Sequence, residues 1–327
     1  MDLVSQKKLM LFSGQGHPEL SVEIADELDV PLGDVKLSTF ASGELYVRYG
    51  ENIRGRDVFL VQTHCDPIND RIMEQLLMID AAKRASAHRI TAVCPYYGYA
   101  RQDRKAEGRE AISARLLADM LSAAGADRVV TVDLHTGQIQ GFFDFPVDHL
   151  TAVPLLASYM AREVDGDVVV VSPDAGGLKL ARRFANCLSE SNVESDLAFI
   201  DKRRPKGTHN VAEATDVVGN VDGSVCMLID DMIDTAGTIV SAVNLLVERG
   251  AREVWVGATH GLLSGPAVDR LKNAPVREVV VTNTVPVSPD KHFDSLTVLS
   301  IAPIVAKAIR AVFEDASVSE LFRGDNV

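Results

Sequence analysis

The segment Val225 to Thr238, VCMLIDDMIDTAGT, concentrates more chemistry than any other stretch of the chain. An apolar run reaches Asp230 and Asp231, and a small-residue turn, Asp234 to Thr238, then opens a helical stretch over Ile239 to Glu248. In a parallel sheet the carboxyl end of such a strand lies at the ligand-binding edge. The backbone amides of Thr235, Ala236, Gly237 and Thr238 then point outward at a helix N-terminus. With two hydroxyls beside them they form a cradle for a monophosphate. Ionised Asp230 and Asp231 only accept hydrogen bonds, which suits the vicinal hydroxyls of a ribose. The plain alternative is a strand followed by an acidic cap and an ordinary helix. The paired carboxylates on an apolar run favour the ligand site.

Basic residues gather at Arg101 to Arg109 and at Lys202 to Lys206, on a chain whose formal net charge is -13. That balance argues against a nucleic-acid or anionic-membrane binder, which needs a broad basic face. Short cationic clusters on an acidic body suit a small polyanion accompanied by a divalent cation, although solvated loops have the same composition. GQGHPE (14–19) has Glu19 where a dinucleotide fingerprint has its third glycine, so it reads as a turn before a helix. No GxxxxGK[ST] sequence exists to hold a nucleotide in a Walker-type loop.

The positioning elements follow from periodicity. Apolar runs at 8–14, 57–62, 89–95 and 128–133 alternate with helical stretches at Pro18 to Leu28, Asn69 to Ala85 and Ser113 to Ala124, the last closed by Gly125. A second series of runs follows at 167–174, 196–201, 224–231, 253–261 and 278–284, with a last helix at Ile304 to Phe313. The alternation predicts an α/β fold of two tandem domains, 1–150 and 151–327, each a mainly parallel sheet flanked by helices. PVDHLTAVP, which breaks the pattern, marks the boundary, and the last helix could pack on either domain. The N-terminus lacks a signal-peptide stretch, and no apolar run approaches membrane-spanning length. Cys65, Cys94, Cys187 and Cys226 are widely spaced and form no CxxC pair. They read as reduced packing residues of a cytoplasmic protein.

IDDMIDTAGT resembles the phosphoribosyl-binding loop of the phosphoribosyltransferase superfamily. Together with DKRRP, SPDAGG, DLHT and YARQDRK it is similar, across nearly the whole chain, to the class I ribose-phosphate pyrophosphokinases. The resemblance implies transfer of the β,γ-diphosphate of ATP to ribose 5-phosphate. It assigns Asp230, Asp231, Asp234, Thr235, Ala236, Gly237 and Thr238 to ribose 5-phosphate. Phe40, Ser42 and Glu44 go to adenine, with Arg101 and Gln102 on ATP. His135 and Asp174 go to magnesium held by the ATP phosphates. Lys202 and Arg204 stabilise the transition state from a mobile loop. It also implies a homo-oligomer, built on dimers and reaching a hexamer, in which the adenine hairpin comes from a neighbouring chain.

The chemistry of these residues is consistent with those roles. Arg101 offers a planar fork that grips phosphate or stacks on adenine. Magnesium prefers oxygen, so His135 could instead bond a phosphate or a metal-bound water. Ser42 stands where many members carry Asp or Asn, and KAEGREAIS (105–113) departs from a commoner proline-containing version tied to regulation by ADP and phosphate. Two other readings share the Asp230 to Thr238 loop: a phosphoribosyltransferase that consumes phosphoribosyl pyrophosphate, and a non-catalytic regulatory homologue. The first has no need for Arg101, Gln102, Lys202 and Arg204 as a set, and the second predicts eroded motifs.

Overall fold

The computed structural model describes residues 7–203 and 213–322. The described residues form two compact units, one running to Thr151 and taking in Thr284–Pro286 and the chain from Ser300 on, the other made of Ala152–Asn283 and Val287–Leu299.

The first unit contains β1 (Leu9–Ser13), α1 (Pro18–Leu28), the strands β2 (Val35–Thr39) and β3 (Leu45–Tyr49), β4 (Asp57–Val61), α2 (Ile68–Arg84), β5 (Arg89–Cys94), α3 (Ser113–Ala124), β6 (Arg128–Val132) and β7 (Val147–Leu150). Five strands form a parallel sheet in the order β1-β4-β5-β6-β7, while β2 and β3 pair only with each other. Helices cover both faces, so the central strand sequences are apolar on both sides: every residue of β4 is buried. α3 buries Ala114, Leu117, Ala118 and Leu121 at helical spacing and ends at Gly125, whose φ of 113° is open to glycine. Because the strands run the same way, the loops after β1, β4, β5 and β6 all leave one edge of the sheet.

One buried group on that edge sets a pH limit. The His64 ring is wholly buried, its Nδ1 accepting from the Gly98 amide (2.9 Å) and its Nε2 meeting Gln75 Oε1 (2.8 Å). This arrangement suits only the neutral imidazole, and burial pulls its pKa down from 6.5 to about 4. The unfolded chain therefore takes up a proton near pH 6.5 that the folded chain refuses until about pH 4, so folding weakens as pH falls through that window. Between pH 7 and pH 5 the loss from this group is about 2 kcal/mol. Urea midpoints should fall accordingly, and His64→Asn, which keeps an acceptor for Gly98 without titrating, should flatten the slope.

The second unit contains α4 (Val153–Glu163), β8 (Val168–Ser172), α5 (Leu178–Glu190), β9 (Ser195–Arg203), β10 (Glu213–Val218), β11 (Val225–Ile233), α6 (Gly237–Glu248), β12 (Glu253–Gly261), α7 (Ala267–Lys272), β13 (Glu278–Thr282) and β14 (Leu296–Leu299). The order is β10-β9-β8-β11-β12-β13-β14, parallel except where β10 turns back on β9. Chain direction across the sheet reverses between β8 and β11: from β8 the next strand lies on one side, while β11 and its successors build out on the other. Ligands of open α/β sheets bind outside the carboxyl ends of the strands at such a switch point. The final helix α8 (Ala302–Phe313) belongs to the first unit and packs on α1.

Several sequence expectations need correction. PVDHL, read as a break, supplies the edge strand β7. The FASGE segment, by contrast, links the strands β2 and β3 as a hairpin, as expected. β11 runs on past its carboxylates to Ile233, and α6 begins at Gly237 rather than Ile239. No described helix is long and apolar enough to cross a membrane. The four cysteines are free, and Cys65, Cys94 and Cys226 are buried; burial pushes the thiols of the last two up to about 12.

Candidate functional site

In the second unit the switch point is lined by carboxylates. Asp174 follows β8 and holds the next turn by accepting from the Gly176 (2.9 Å) and Gly177 (3.2 Å) amides. Asp230 and Asp231 stand on β11 beyond Leu228, the last residue at which β11 pairs with β8, so that side of the strand is open. Asp230 Oδ1 accepts from the Asp231 amide (2.9 Å). Burial, then the neighbouring charge of Asp231 and the more distant charge of Asp174, push the Asp230 carboxyl well above the usual range. The sequence reading takes both acids as ionised. Burial and the paired charges thus disfavour ionisation of Asp230, while both carboxyl groups keep oxygens that can accept from a diol.

Three residues on, the chain turns sharply into α6. The residue before the helix is Ala236, in left-handed backbone at φ 58°, and no side chain caps the helix. Thr235 and Thr238 are exposed beside the uncapped first turn, and Gly237 is half-buried. An uncapped N-terminus with two flanking hydroxyls and a partial positive charge is a receptor for a phosphate.

In the first unit, Arg101 and Gln102 are exposed on the loop after β5. Around them the loop is tied down: Gln102 Oε1 accepts from the Ser113 hydroxyl (2.6 Å), and the buried Tyr97 donates its hydroxyl to the Ala114 carbonyl (3.0 Å). The Thr136 hydroxyl donates to Asp103 (2.8 Å), which joins this loop to the one after β6 that carries His135. The latter loop is also braced by His149, whose Nε2 accepts from the Leu134 amide (2.9 Å). Sequence reasoning missed these braces because their partners lie far apart along the chain. On the β2–β3 hairpin, Phe40 is 56% exposed and meets Tyr46 edge-on at 5.7 Å, while the Ser42 hydroxyl donates to Glu44 (2.8 Å).

Residues 9–125 match the N-terminal domain of ribose phosphate pyrophosphokinase, and residues 169–323 match the phosphoribosyl synthetase-associated domain. Curated ribose-phosphate pyrophosphokinases of Streptomyces coelicolor and Mycobacterium tuberculosis are 56% and 55% identical, over 97% and 98% of this chain and of their own lengths. The chain belongs to the ribose-phosphate pyrophosphokinase family. It is accordingly an enzyme. A crystal structure of phosphoribosylpyrophosphate synthetase from Mycobacterium smegmatis aligns with a TM-score of 0.88 at 54% identity, covering 95% of this chain and all of that one.

Within this family member the expected sugar-side residues, Asp230, Asp231 and Asp234 to Thr238, fall together at one end of β11, with Asp174 beside them. Lys202 lies on β9 at the level of the backbone, opposite Ala214 of β10, and not on a loop. Its side chain and the whole of Arg204 lie outside the described residues. Among the described residues no three His, Cys, Asp or Glu side chains group to hold a metal.

Proposed function

We propose that the chain is a ribose-phosphate diphosphokinase, which moves the β,γ-diphosphate of ATP onto the C1 hydroxyl of ribose 5-phosphate. The products are 5-phosphoribosyl 1-pyrophosphate and AMP, for nucleotide biosynthesis. The observation that carries the reading is the uncapped α6 N-terminus beside Asp230 and Asp231 at the sheet's switch point. A phosphate receptor on one side and a diol receptor on the other match the two ends of ribose 5-phosphate. The name shared by the relatives supports the reaction.

On this reading the amides and hydroxyls of Thr235 to Thr238 hold the 5-phosphate, and Asp230 and Asp231 hold the ring hydroxyls. Two-point anchoring fixes the direction in which the C1 hydroxyl faces, which is most of what an in-line displacement asks of a protein. Arg101 and Gln102 grip ATP, while Phe40, Ser42 and Glu44 receive adenine. Lys202 and Arg204 neutralise charge that spreads onto the transferring phosphate oxygens.

Magnesium suits the donor set. Asp174, Asp230 and Asp231 share the switch point, where burial first and then the charges of Asp231 and Asp174 raise Asp230, and magnesium is commonly held by one or two protein carboxylates plus substrate phosphates. His135 and Asp174 would hold it, and it would offset the charge of the ATP phosphates.

A homo-oligomer with composite sites, dimers assembling to a hexamer, belongs to the same reading. The exposed Phe40–Tyr46 pair and the exposed apolar residues Ile112, just before α3, and Leu116 and Met120 on it support it. A cytoplasmic location is supported by the free buried cysteines.

The deciding experiment incubates purified protein with ATP, magnesium and ribose 5-phosphate. AMP without ADP identifies diphosphoryl transfer, and ADP or no nucleotide product refutes it. Asp231→Asn keeps the shape but loses charge and an acceptor. It should raise KM for ribose 5-phosphate about tenfold while leaving ATP affinity nearly unchanged, as loss of one charged hydrogen bond requires. Equal loss for both substrates would make the pair a general cation site.

A further inference from the structure

A cradle of backbone amides repels an anion as soon as one peptide turns over and presents its carbonyl. In the turn before α6 every carbonyl from Ile233 to Ala236 is engaged. Ile233 accepts from the Leu263 amide (3.0 Å), Asp234 from the Ser264 amide (2.9 Å) and Ala236 from the Val240 amide (2.9 Å). Those three donors are backbone, indifferent to side-chain identity. The Thr235 carbonyl accepts instead from a side chain, Arg270 Nη1 at 2.8 Å.

That peptide is also the one with a motive to turn. Ala236 sits at φ 58°, a conformation that costs a residue with a Cβ about 1 kcal/mol or more. Rotating the Thr235–Ala236 peptide would return Ala236 to negative φ and swing the Thr235 carbonyl toward the anion. α7 is anchored by buried Ala267 and Leu271, which leaves Arg270 on its exposed side. Gly237 makes room for the guanidinium, since a Cβ there would lie 3.2 Å from Arg270 Nη1.

We infer that Arg270 is a positioning residue for the sugar phosphate, holding the Thr235–Ala236 peptide with its amide toward the 5-phosphate. The inference rests on reading Asp234 to Thr238 as the phosphate loop. No covalent step is assigned to Arg270; it acts through the loop and strengthens binding of the phosphorylated end of the substrate.

The test is steady-state kinetics on Arg270→Met, which keeps an apolar stem and removes every donor, with calorimetric titration of ribose 5-phosphate alongside. KM for ribose 5-phosphate should rise about tenfold or more, the scale of a charge-assisted hydrogen bond, while kcat at saturation and KM for ATP stay within about twofold. Arg270→Lys should recover part of the loss. Adding Ala236→Gly to Arg270→Met should recover part as well, because glycine holds positive φ without strain. An unchanged KM for ribose 5-phosphate in Arg270→Met, or equal rises for both substrates, overturns the inference. Thr238→Glu, which places a carboxylate in the cradle itself, separates the two levels. If it abolishes ribose 5-phosphate binding while Arg270→Met does not, only the role of Arg270 falls. If it too leaves binding intact, the phosphate-loop reading falls with it.

Discussion

Lys202→Ala is expected to lower kcat about a hundredfold or more with little change in either KM, the scale of losing a preorganised charge stabiliser. A cation that matters only when charge spreads in the transition state contributes nothing to ground-state binding, so its loss appears in turnover. The backbone at Lys202 belongs to β9, paired with β10, at the last rungs before the stretch 204–212 that joins the two strands. Such a position ties the residue's Cα to the sheet. Single-turnover measurement of AMP release separates chemistry from product departure. A near-normal kcat with raised KM would make Lys202 a simple binding residue.

Mixing two inactive variants should restore activity if sites are shared between chains. Phe40→Ala with Glu44→Ala strips the exposed hairpin, and Arg101→Ala strips the loop after β5. Each variant alone should be inactive or nearly so. Dissociated together and reassembled, they should regain about a quarter to a half of wild-type activity: in a mixed pair one site receives both intact halves and the other both defects. Native mass spectrometry checks that mixed assemblies form. Mixed assemblies without recovery would mean that each chain completes its own site.

Much of the architecture was legible because parallel strands buried on both faces need unbroken apolar runs: DVFLV and VVVV can hardly be anything else. Helix α3 was legible to the residue because its stripe and Gly125 agree. The misreadings share a physical cause. β7, VDHL, is a short edge strand with polar residues, and edge pairing is set by the neighbour rather than by composition. β9 runs into charged residues because an antiparallel partner extends it. At the site, the acid pair and the turn were visible because they are contiguous. Asp103 with Thr136, His149 with Leu134 and Arg270 with Thr235 each span 15 or more positions, and no local pattern announces them. The upward shift of Asp230 comes first from burial and then from the adjacent Asp231, with a last contribution from Asp174, which the strand order brings near.

The return of α8 to the first unit has a consequence for synthesis on the ribosome. Chains usually fold from the N-terminus as they emerge. Here the second unit has all its strands once Leu299 is made, while the first unit still lacks α8, which buries Val305, Ile309 and Val312 and packs on α1. The earliest-made unit is therefore the last to be finished. Until α8 arrives, the apolar face of α1 stands open to chaperones and proteases, and a nonsense codon near position 300 would injure the beginning of the protein rather than its end.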